Sequence, residues 1–148
     1  MSRATALALL SGCVLLFAAG LARSADHDDL SAVASESTLE ITTAGRTSGQ
    51  ARTATIWFVR EGDHIYVQSG KDGQTDWYRN ALKTPAVTLR IRSVALRGRA
   101  RPIDDAAEAA RVHELFDHKY LGARVMGWFG GGFGHGKILL IENLEPVR

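Results

Sequence analysis

Cysteine is almost absent from this sequence of 148 residues. The single one, Cys13, lies in an apolar stretch near the N-terminus. The chain after residue 25 therefore cannot form a disulfide of its own, a thiolate nucleophile or a cysteine metal site. A folded body of about 120 residues is large enough to bury a stable core without such cross-links.

Net charge is also scarce in the body of the chain. The sequence has 18 lysines and arginines against 16 acidic residues, but Arg3 and Arg23 lie within the first 25 residues. Setting these two aside leaves 16 basic and 16 acidic residues, so the body is formally neutral. Binding to nucleic acid driven by net positive charge is therefore not expected.

One long hydrophobic run is present, at the N-terminus. Residues 4–22 carry no charge, follow Arg3 and end in small residues before an acidic stretch at 26–29. This order is typical of a secretory signal, and the run is also about as long as a helix that crosses a bilayer. We therefore expect an exported protein, periplasmic or extracellular. Its predicted parts are a signal peptide or membrane anchor at 1–25, a linker at 26–37 and one domain at 38–148.

Alternating and β-branched segments predict six strands in the body. The strands are expected at residues 39–43, 53–60, 64–69, 86–91, 94–103 and 137–142. Helical spacing predicts a short helix at 76–83 and a longer one, capped by Asp104, that ends near Leu121. Strands joined by tight turns favour an antiparallel sheet that closes into a small barrel, a mainly β (α+β) fold.

Two loops beside the predicted hairpin carry groups that suit an anion. Residues 45–52 contain Arg46 and Arg52 with glycines and hydroxyls between them, and the next loop begins with Ser69 and Lys71. Arginine presents forked donors, and glycine lets the backbone approach a ligand closely. Because the strands that these loops flank are expected to pair, we predict that the four side chains converge on one phosphate-like group. The alternative is a solvated hairpin loop.

Two further patterns do not amount to a predicted site. His113, Glu114 and His118 lie on the longer helix, but the two histidines are five residues apart and do not share a helix face. Two ligands without a third do not make a metal site, so none is expected. Residues 122–136 mix glycines with aromatic residues, which indicates either a loop over one end of the barrel or a flap over a ligand.

The order of motifs between residues 38 and 103 resembles the deazaflavin-dependent nitroreductase (quinone reductase) family of the split β-barrel flavin-binding superfamily. The segments that carry the resemblance are ITTAGRTSGQARTATIWFV, GDHIYVQSG and WYRNALKTPAVTLRI. The family pattern has a Gly-Arg-Lys/Arg-Ser-Gly loop with a trailing Arg, a Gly-Asp hairpin, a Ser-containing loop and a Trp-x-x-Asn-Leu helix ending in Asn-Pro. Thr47 departs from the pattern by replacing a basic residue, and Thr84 by replacing the Asn before Pro85.

The resemblance implies a six-stranded antiparallel split β-barrel that binds a cofactor and forms a homodimer. The cofactor would be a deazaflavin coenzyme of the 8-hydroxy-5-deazaflavin type or FMN, and the reaction would be hydride transfer to a quinone- or nitro-type acceptor. The residues implied to bind the cofactor are Arg46, Ser48, Gly49, Arg52, Ser69, Gly70, Lys71, Trp77 and Asn80. Tyr120, part of a Lys-Tyr pair, is predicted to be the catalytic proton donor.

Two other functions remain open from the sequence. The barrel could bind a ligand without catalysing a reaction, or the protein could be an interaction module tethered to a membrane by residues 4–22. Both alternatives keep the predicted fold, and they differ from the oxidoreductase in what the loops or the glycine-aromatic segment would bind.

Overall fold

The protein folds as a closed barrel in a computed structural model that describes residues 33–125 and 136–147. Its strands are antiparallel and lie in the order β1-β2-β3-β6-β5-β4 around the barrel. The elements are β1 (Thr38–Ala44), β2 (Ala51–Glu61), β3 (His64–Ser69), a 3₁₀ turn (Lys71–Gly73), α1 (Asp76–Lys83), β4 (Ala86–Ile91), β5 (Val94–Pro102), α2 (Ala106–Val125) and β6 (Lys137–Pro146). The predicted six-stranded antiparallel barrel with one short and one longer helix is confirmed.

Most element boundaries follow the sequence pattern, and two of the differences have clear reasons. Helix α2 is capped by Asp105 instead of Asp104, because the Asp105 carboxylate accepts a hydrogen bond from the Glu108 N–H at 2.8 Å. Strand β6 continues four residues beyond its predicted end because it has two partners. It pairs with β3 along its first half and stays paired with β5 as far as Pro146.

Strand β2 has different neighbours along its length, and this determines where the loops lie. Its residues 51–57 pair with β1, and its residues 58–61 pair with β3. The change of partner occurs at Phe58. As a result, the loop before β2 faces β1 and the short helix α1, and the hairpin turn at Gly62 lies at the opposite end of the strand.

The barrel interior is filled by alternate residues of all six strands. Side chains that point inward are almost fully buried, as their alternation in the sequence predicts. They include Leu39, Ile41, Phe58, Ile65, Val67, Leu89, Ile91, Leu139 and Ile141. Helix α1 closes this core with its buried residues Trp77, Tyr78 and Ala81.

A second core lies outside the barrel, beneath helix α2. Val112, Phe116 and Tyr120 on the helix pack against outward-facing residues of three strands. Those strand residues are Val59 on β2, Tyr66 on β3, and Ile138 and Leu140 on β6. Strand β6 is therefore buried on both faces, which explains why its sequence, ILLI, is continuously apolar.

Residues 33–37, at the end of the predicted linker, pack against the barrel. Val33 is 5% exposed and belongs to the barrel core. Glu36 forms an ion pair with Arg92 at 2.6 Å. Folded structure thus extends at least to Val33.

The remaining predictions concern parts of the chain that lie outside the described residues. These parts are residues 1–32, which include the predicted export segment, and residues 126–135 of the glycine-aromatic segment. Within residues 33–125 and 136–147, no helix combines the length and the apolar character needed to cross a membrane.

Candidate functional site

A cleft of about 430 Å³ lies between the β1–β2 loop and helix α1. We call it the α1 cleft. The loop, the first residues of β2 and one face of the helix form its walls. The residues that line it are Gly45, Arg46, Thr47, Ser48, Arg52, Thr53, Ala54, Asp76, Trp77 and Asn80. Its volume falls within the range of small-molecule sites, roughly 300–1,000 Å³.

The β1–β2 loop is held in shape by its own backbone. The Gly45 N–H donates to the Gln50 carbonyl, and the Gly49 N–H donates to the Gly45 carbonyl, both at 2.7 Å. Gly49 has a φ of 70°, in the left-handed region that glycine adopts at little cost. A Cβ on Gly45 would lie 2.8 Å from the Ser48 hydroxyl and 3.2 Å from the Gln50 carbonyl oxygen, so a larger residue would crowd this tight loop.

Asn80 fastens the loop to helix α1 and is itself buried, with 2% of its surface exposed. Its Oδ1 accepts hydrogen bonds from the Arg46 backbone N–H at 3.0 Å and from Arg46 Nη1 at 3.2 Å. Its Nδ2 donates to the Thr43 hydroxyl on β1 at 3.2 Å. One amide side chain therefore sets the position of the loop, the direction of Arg46 and the distance between the helix and the barrel.

The Arg46 guanidinium also contacts a carboxylate on the same helix. Nη1 donates to Asp76 Oδ1 at 2.8 Å, and this hydrogen bond, with the positive charge behind it, lowers the pKa of Asp76. Lys83 donates to the Arg46 carbonyl at 2.5 Å. The loop and helix are thus joined by a side chain at each end of α1, with Asn80 between them.

Arg52 is the second cation of the α1 cleft. It lies at the start of β2 and is exposed. Among the described residues, its guanidinium has no hydrogen-bond or ion-pair partner. An unengaged arginine beside a loop of glycine and hydroxyl residues is well suited to hold an anionic oxygen.

The loop after β3 is placed differently from the prediction. Ser69, Gly70 and Lys71 do not line the α1 cleft. The Ser69 side chain is fully buried, and its hydroxyl bonds to that of Thr75, the residue before α1, at 2.7 Å. Gly70 and Lys71 are exposed, and Lys71 takes a left-handed φ of 51°.

The expected convergence of Arg46, Arg52, Ser69 and Lys71 on one group is therefore not met in this cleft. The expectation assumed that the whole of β2 pairs with β3, but only residues 58–61 do so. If that register continued, Ser69 would stand opposite Ile56. Arg52 lies four residues further along the strand, a distance of about 13 Å.

Tyr120, the predicted proton donor, lies under helix α2 and does not line the α1 cleft. Its ring stacks on Trp57 with 4.4 Å between the ring centroids. Its hydroxyl is 2.7 Å from the carbonyls of Ser37 and Phe58 and accepts from the Phe58 N–H at 3.1 Å. Burial raises the pKa of Tyr120 to about 12. These contacts give the hydroxyl a structural role, and its catalytic role stays a prediction.

Lys119 supports the same contact. Its Nζ donates to the Phe58 carbonyl at 2.9 Å and lies 3.8 Å from the centroid of the Phe58 ring. Burial lowers the pKa of Lys119 to about 8. Together, Lys119 and Tyr120 supply polar partners to the backbone at the point where β2 changes neighbours; we call this group, with Ser37 and Phe58, the Tyr120 contact.

The architecture and the loop-helix arrangement agree with a comparison of the whole sequence with protein families. The model of the F420H(2)-dependent quinone reductase family matches residues 23–126, which is more than two thirds of the chain. The chain belongs to this family. Because F420 is a deazaflavin, the family supports a deazaflavin-dependent oxidoreductase, and of the two cofactors that the sequence suggested it favours the deazaflavin.

Several solved structures share this barrel. An F420-H2 dependent reductase is 20% identical, with a TM-score of 0.57, over 72% of this chain and 95% of its own. A putative pyridoxamine 5'-phosphate oxidase from Listeria innocua is 17% identical, with a TM-score of 0.59, over 82% of this chain and 97% of its own. A structure described as a domain-swapped dimer is 20% identical, with a TM-score of 0.57, over 72% of this chain and 81% of its own. At these identities the likeness shows the fold alone.

Of the implied cofactor-binding residues, the α1 cleft brings together Arg46, Ser48, Arg52, Trp77 and Asn80. Gly49 belongs to the same loop but does not line the cleft. The sequence reasoning missed Asp76 and Lys83, both of which touch Arg46. A signal for Asp76 was available, because residues 76 and 80 are four apart on one helix and so share a face with the implied ligand Asn80.

Proposed function

We propose that this protein binds a reduced deazaflavin coenzyme through the α1 cleft and uses it to reduce quinone- or nitro-type acceptors. One observation carries the proposal. Two arginines, Arg46 and Arg52, line a single cleft whose loop is fixed to a helix by a buried asparagine. This pairing of loop and helix is formed by two of the three segments that carry the family resemblance.

The donor set of the cleft fits a cofactor with an anionic tail. Arg46 and Arg52 provide two positive charges, and Ser48 and Thr53 are hydroxyl residues of the same lining. Trp77, 8% exposed, contributes an apolar surface to the same wall. When bound, the reduced deazaflavin supplies the hydride.

The chain's own part in the reaction is to bind and to orient. Arg46 and Arg52 hold the tail by charge-assisted hydrogen bonds, and Asn80 fixes the direction of Arg46. The described lining residues include one carboxylic acid, Asp76, whose lowered pKa keeps it ionised near neutral pH. Since the Tyr120 hydroxyl is engaged elsewhere, the proton that completes the reduction comes from solvent in this proposal.

We further propose that the protein acts outside the cytoplasm, where residues 4–22 would serve as signal or membrane tether, and that it works as a homodimer. The charge-free run supports export, and the domain-swapped dimer with a related fold supports dimer formation. Protease treatment of spheroplasts and N-terminal sequencing of the recovered chain test the location. Resistance of the folded chain to external protease in intact spheroplasts would contradict export.

Coenzyme binding is tested by titration of the full-length protein in mild detergent with oxidised F420, reduced F420 and FMN, following fluorescence. Arg46→Ala and Arg52→Ala are each expected to weaken F420 binding about tenfold or more, as loss of a hydrogen bond to a charged group does. Arg90→Ala is the matched control, because Arg90 is an exposed arginine whose partner is Glu40, away from the cleft. It is expected to leave the affinity unchanged.

The outcomes separate the functions that the sequence left open. Binding of F420 followed by oxidation of its reduced form on addition of menadione or a nitroimidazole supports the oxidoreductase. Binding without reduction of any acceptor supports a ligand-binding domain. If the two cleft arginines and Arg90 gave equal losses, or if no cofactor bound to the folded protein, the proposed function would be wrong.

A further inference from the structure

Asp76 is the one acidic residue among the described residues that line the α1 cleft. Its carboxylate forms an ion pair with Arg46, one of the two cations that bind the ligand in the proposed function. Arg46 Nη1 donates to both Asp76 Oδ1, at 2.8 Å, and Asn80 Oδ1, at 3.2 Å. An anion that approaches Arg46 therefore meets a carboxylate already in place.

The two acceptors on Arg46 differ in how firmly they are held. Asn80 is buried and bonded through its other end to Thr43. The Asp76 side chain is 82% exposed and has Arg46 as its hydrogen-bond partner among the described residues. An incoming anion thus replaces Asp76 and leaves Asn80 where it is. Exposed ion pairs are weak, so the replacement itself lowers ligand affinity by no more than about fivefold.

Replacement does not remove the carboxylate from the cleft. Asp76 is the first residue of α1, and its backbone is fixed by the helix, so its short side chain swings only a few ångströms. The displaced carboxylate remains close enough to repel the bound anion. At such distances repulsion grows in proportion to the charge of the anion and is incompletely screened by salt.

We propose that Asp76 competes with the ligand for Arg46 and weakens the binding of doubly charged phosphate monoesters to the α1 cleft more than the binding of singly charged phosphate groups, such as phosphodiesters. This discrimination between anions depends on the proposed function in one respect only, which is that the α1 cleft binds an anion. It would set a coenzyme with an internal phosphodiester apart from one that ends in a phosphate monoester, as FMN does. Arg79 and Lys83 are cations near Asp76 and Arg46, and they are unchanged when Asp76 is substituted.

The experiment measures small anions at Arg46 in the full-length protein by ¹⁵N NMR, at pH 8 and low ionic strength. Dimethyl phosphate carries one charge and methyl phosphate carries two under these conditions. Asp76→Asn keeps an oxygen acceptor for Arg46 and removes the charge. It is expected to raise affinity about threefold for dimethyl phosphate and about tenfold for methyl phosphate, read from the Arg46 Nε–H and Asn80 amide signals.

Two controls isolate the position and the charge. Glu114→Gln removes the same charge from an exposed site on α2, outside the cleft, and is expected to change neither affinity. Asp76→Glu keeps the charge and is expected to keep the wild-type affinities for both anions.

Equal gains for both anions in Asp76→Asn, gains as large in Glu114→Gln, or no perturbation of Arg46 by either anion would each overturn the proposal. Because the probes are not cofactors, such a result leaves the F420 titrations as a separate test. Failure of F420 to bind, with the expected gains for both anions in Asp76→Asn, would reject the proposed function and not the role of Asp76.

Discussion

The α1 cleft and the Tyr120 contact both place polar side chains against the backbone of the barrel. They differ in whether those side chains find all their hydrogen-bond partners within the protein. In the Tyr120 contact, the Tyr120 hydroxyl and the Lys119 amine form hydrogen bonds with backbone carbonyls and a backbone N–H of the protein itself. In the α1 cleft, Asn80 is satisfied in the same manner, whereas Arg52 is left without a described partner and Arg46 is held by an exposed carboxylate. The first arrangement stabilises the fold, and the second leaves capacity for a ligand.

The reason for the Tyr120 contact can be read from the strand register. Continuing the pairing of β1 with β2 would place Ser37 opposite Phe58, but β1 begins only at Thr38. The Tyr120 hydroxyl lies between the two and bonds to both. The hydroxyl therefore supplies the hydrogen bonds that a further strand pair would have made. These backbone groups are satisfied within the protein, without a ligand.

The largest effect is expected at Tyr120. Tyr120→Ala should lower the free energy of unfolding by about 4 kcal/mol, because it removes a buried aromatic ring. Tyr120→Phe should lower it by about 2 kcal/mol, because it leaves the Phe58 N–H without its partner. Urea denaturation measures both. If Tyr120→Phe left stability unchanged and abolished turnover, the hydroxyl would be catalytic, and the Tyr120 contact would not differ from the α1 cleft as described.

The next largest effect is expected at Asn80, the buried group of the cleft. Asn80→Ala should lower the free energy of unfolding by about 2 kcal/mol, since the Thr43 hydroxyl loses a donor and the Arg46 N–H loses its acceptor. It should also weaken anion binding, because Arg46 is no longer directed into the cleft. Leu82→Ala, at an exposed position of the same helix, is the control and should change neither quantity. Loss of stability with full anion affinity would show that Asn80 does not orient Arg46.

A smaller effect is expected from pH. The pKa of Lys119 is lowered to about 8 in the folded protein, so between pH 8 and about 10.5 the unfolded chain binds more protons and stability rises with pH. The pKa of Tyr120 is raised to about 12, so above pH 10 the unfolded chain loses protons first and stability falls. Because Lys119 is only half-buried, we expect the free energy of unfolding to rise by less than about 1 kcal/mol between pH 8 and 10.5.

Urea denaturation between pH 7.5 and 11.5 measures this profile. Lys119→Met should remove the rise from pH 8 to 10.5 and leave the fall above pH 10, which Tyr120→Phe should remove. A rise that persisted in Lys119→Met would assign it to another group.

The smallest effect is expected at Lys83. Its amine is exposed and donates to the Arg46 carbonyl, so Lys83→Met should change the free energy of unfolding by less than about 0.5 kcal/mol. Anion affinity should fall by less than about threefold, since a nearby charge is lost but the loop stays bound by Asn80. A loss as large as that of Asn80→Ala would mean that the amine, and not the amide, fixes the loop.

Local patterns predicted most of the fold. The alternation in HIYVQS and the helical spacing in DWYRNALK determined β3 and α1 to the residue, because each element buries one face against the same core. The run KILLIE was predicted as a buried strand, but its extension to Pro146 was not, since that depends on a second strand partner distant in sequence.

The candidate site was less predictable because its geometry is set by non-local pairing. Nothing in the sequence of β2 indicates that its neighbour changes at Phe58, and this change separates Ser69 from Arg52. Likewise, the partners of Tyr120 are backbone groups 62 and 83 residues away. Arg46 and Asn80 were both implied by the resemblance. The role of the charge on Asp76, in contrast, depends on its contact with Arg46, which only the structure shows.

The place of β6 in the barrel has a consequence for how the chain is made. This strand is inserted between β3 and β5, which are both complete much earlier in synthesis. Until residues 137–146 have left the ribosome, a nascent chain would offer two open strand edges, the kind of surface on which chains aggregate. The barrel therefore closes only when its last strand pairs with both of these edges, and we expect the chain to be most prone to aggregation before that step.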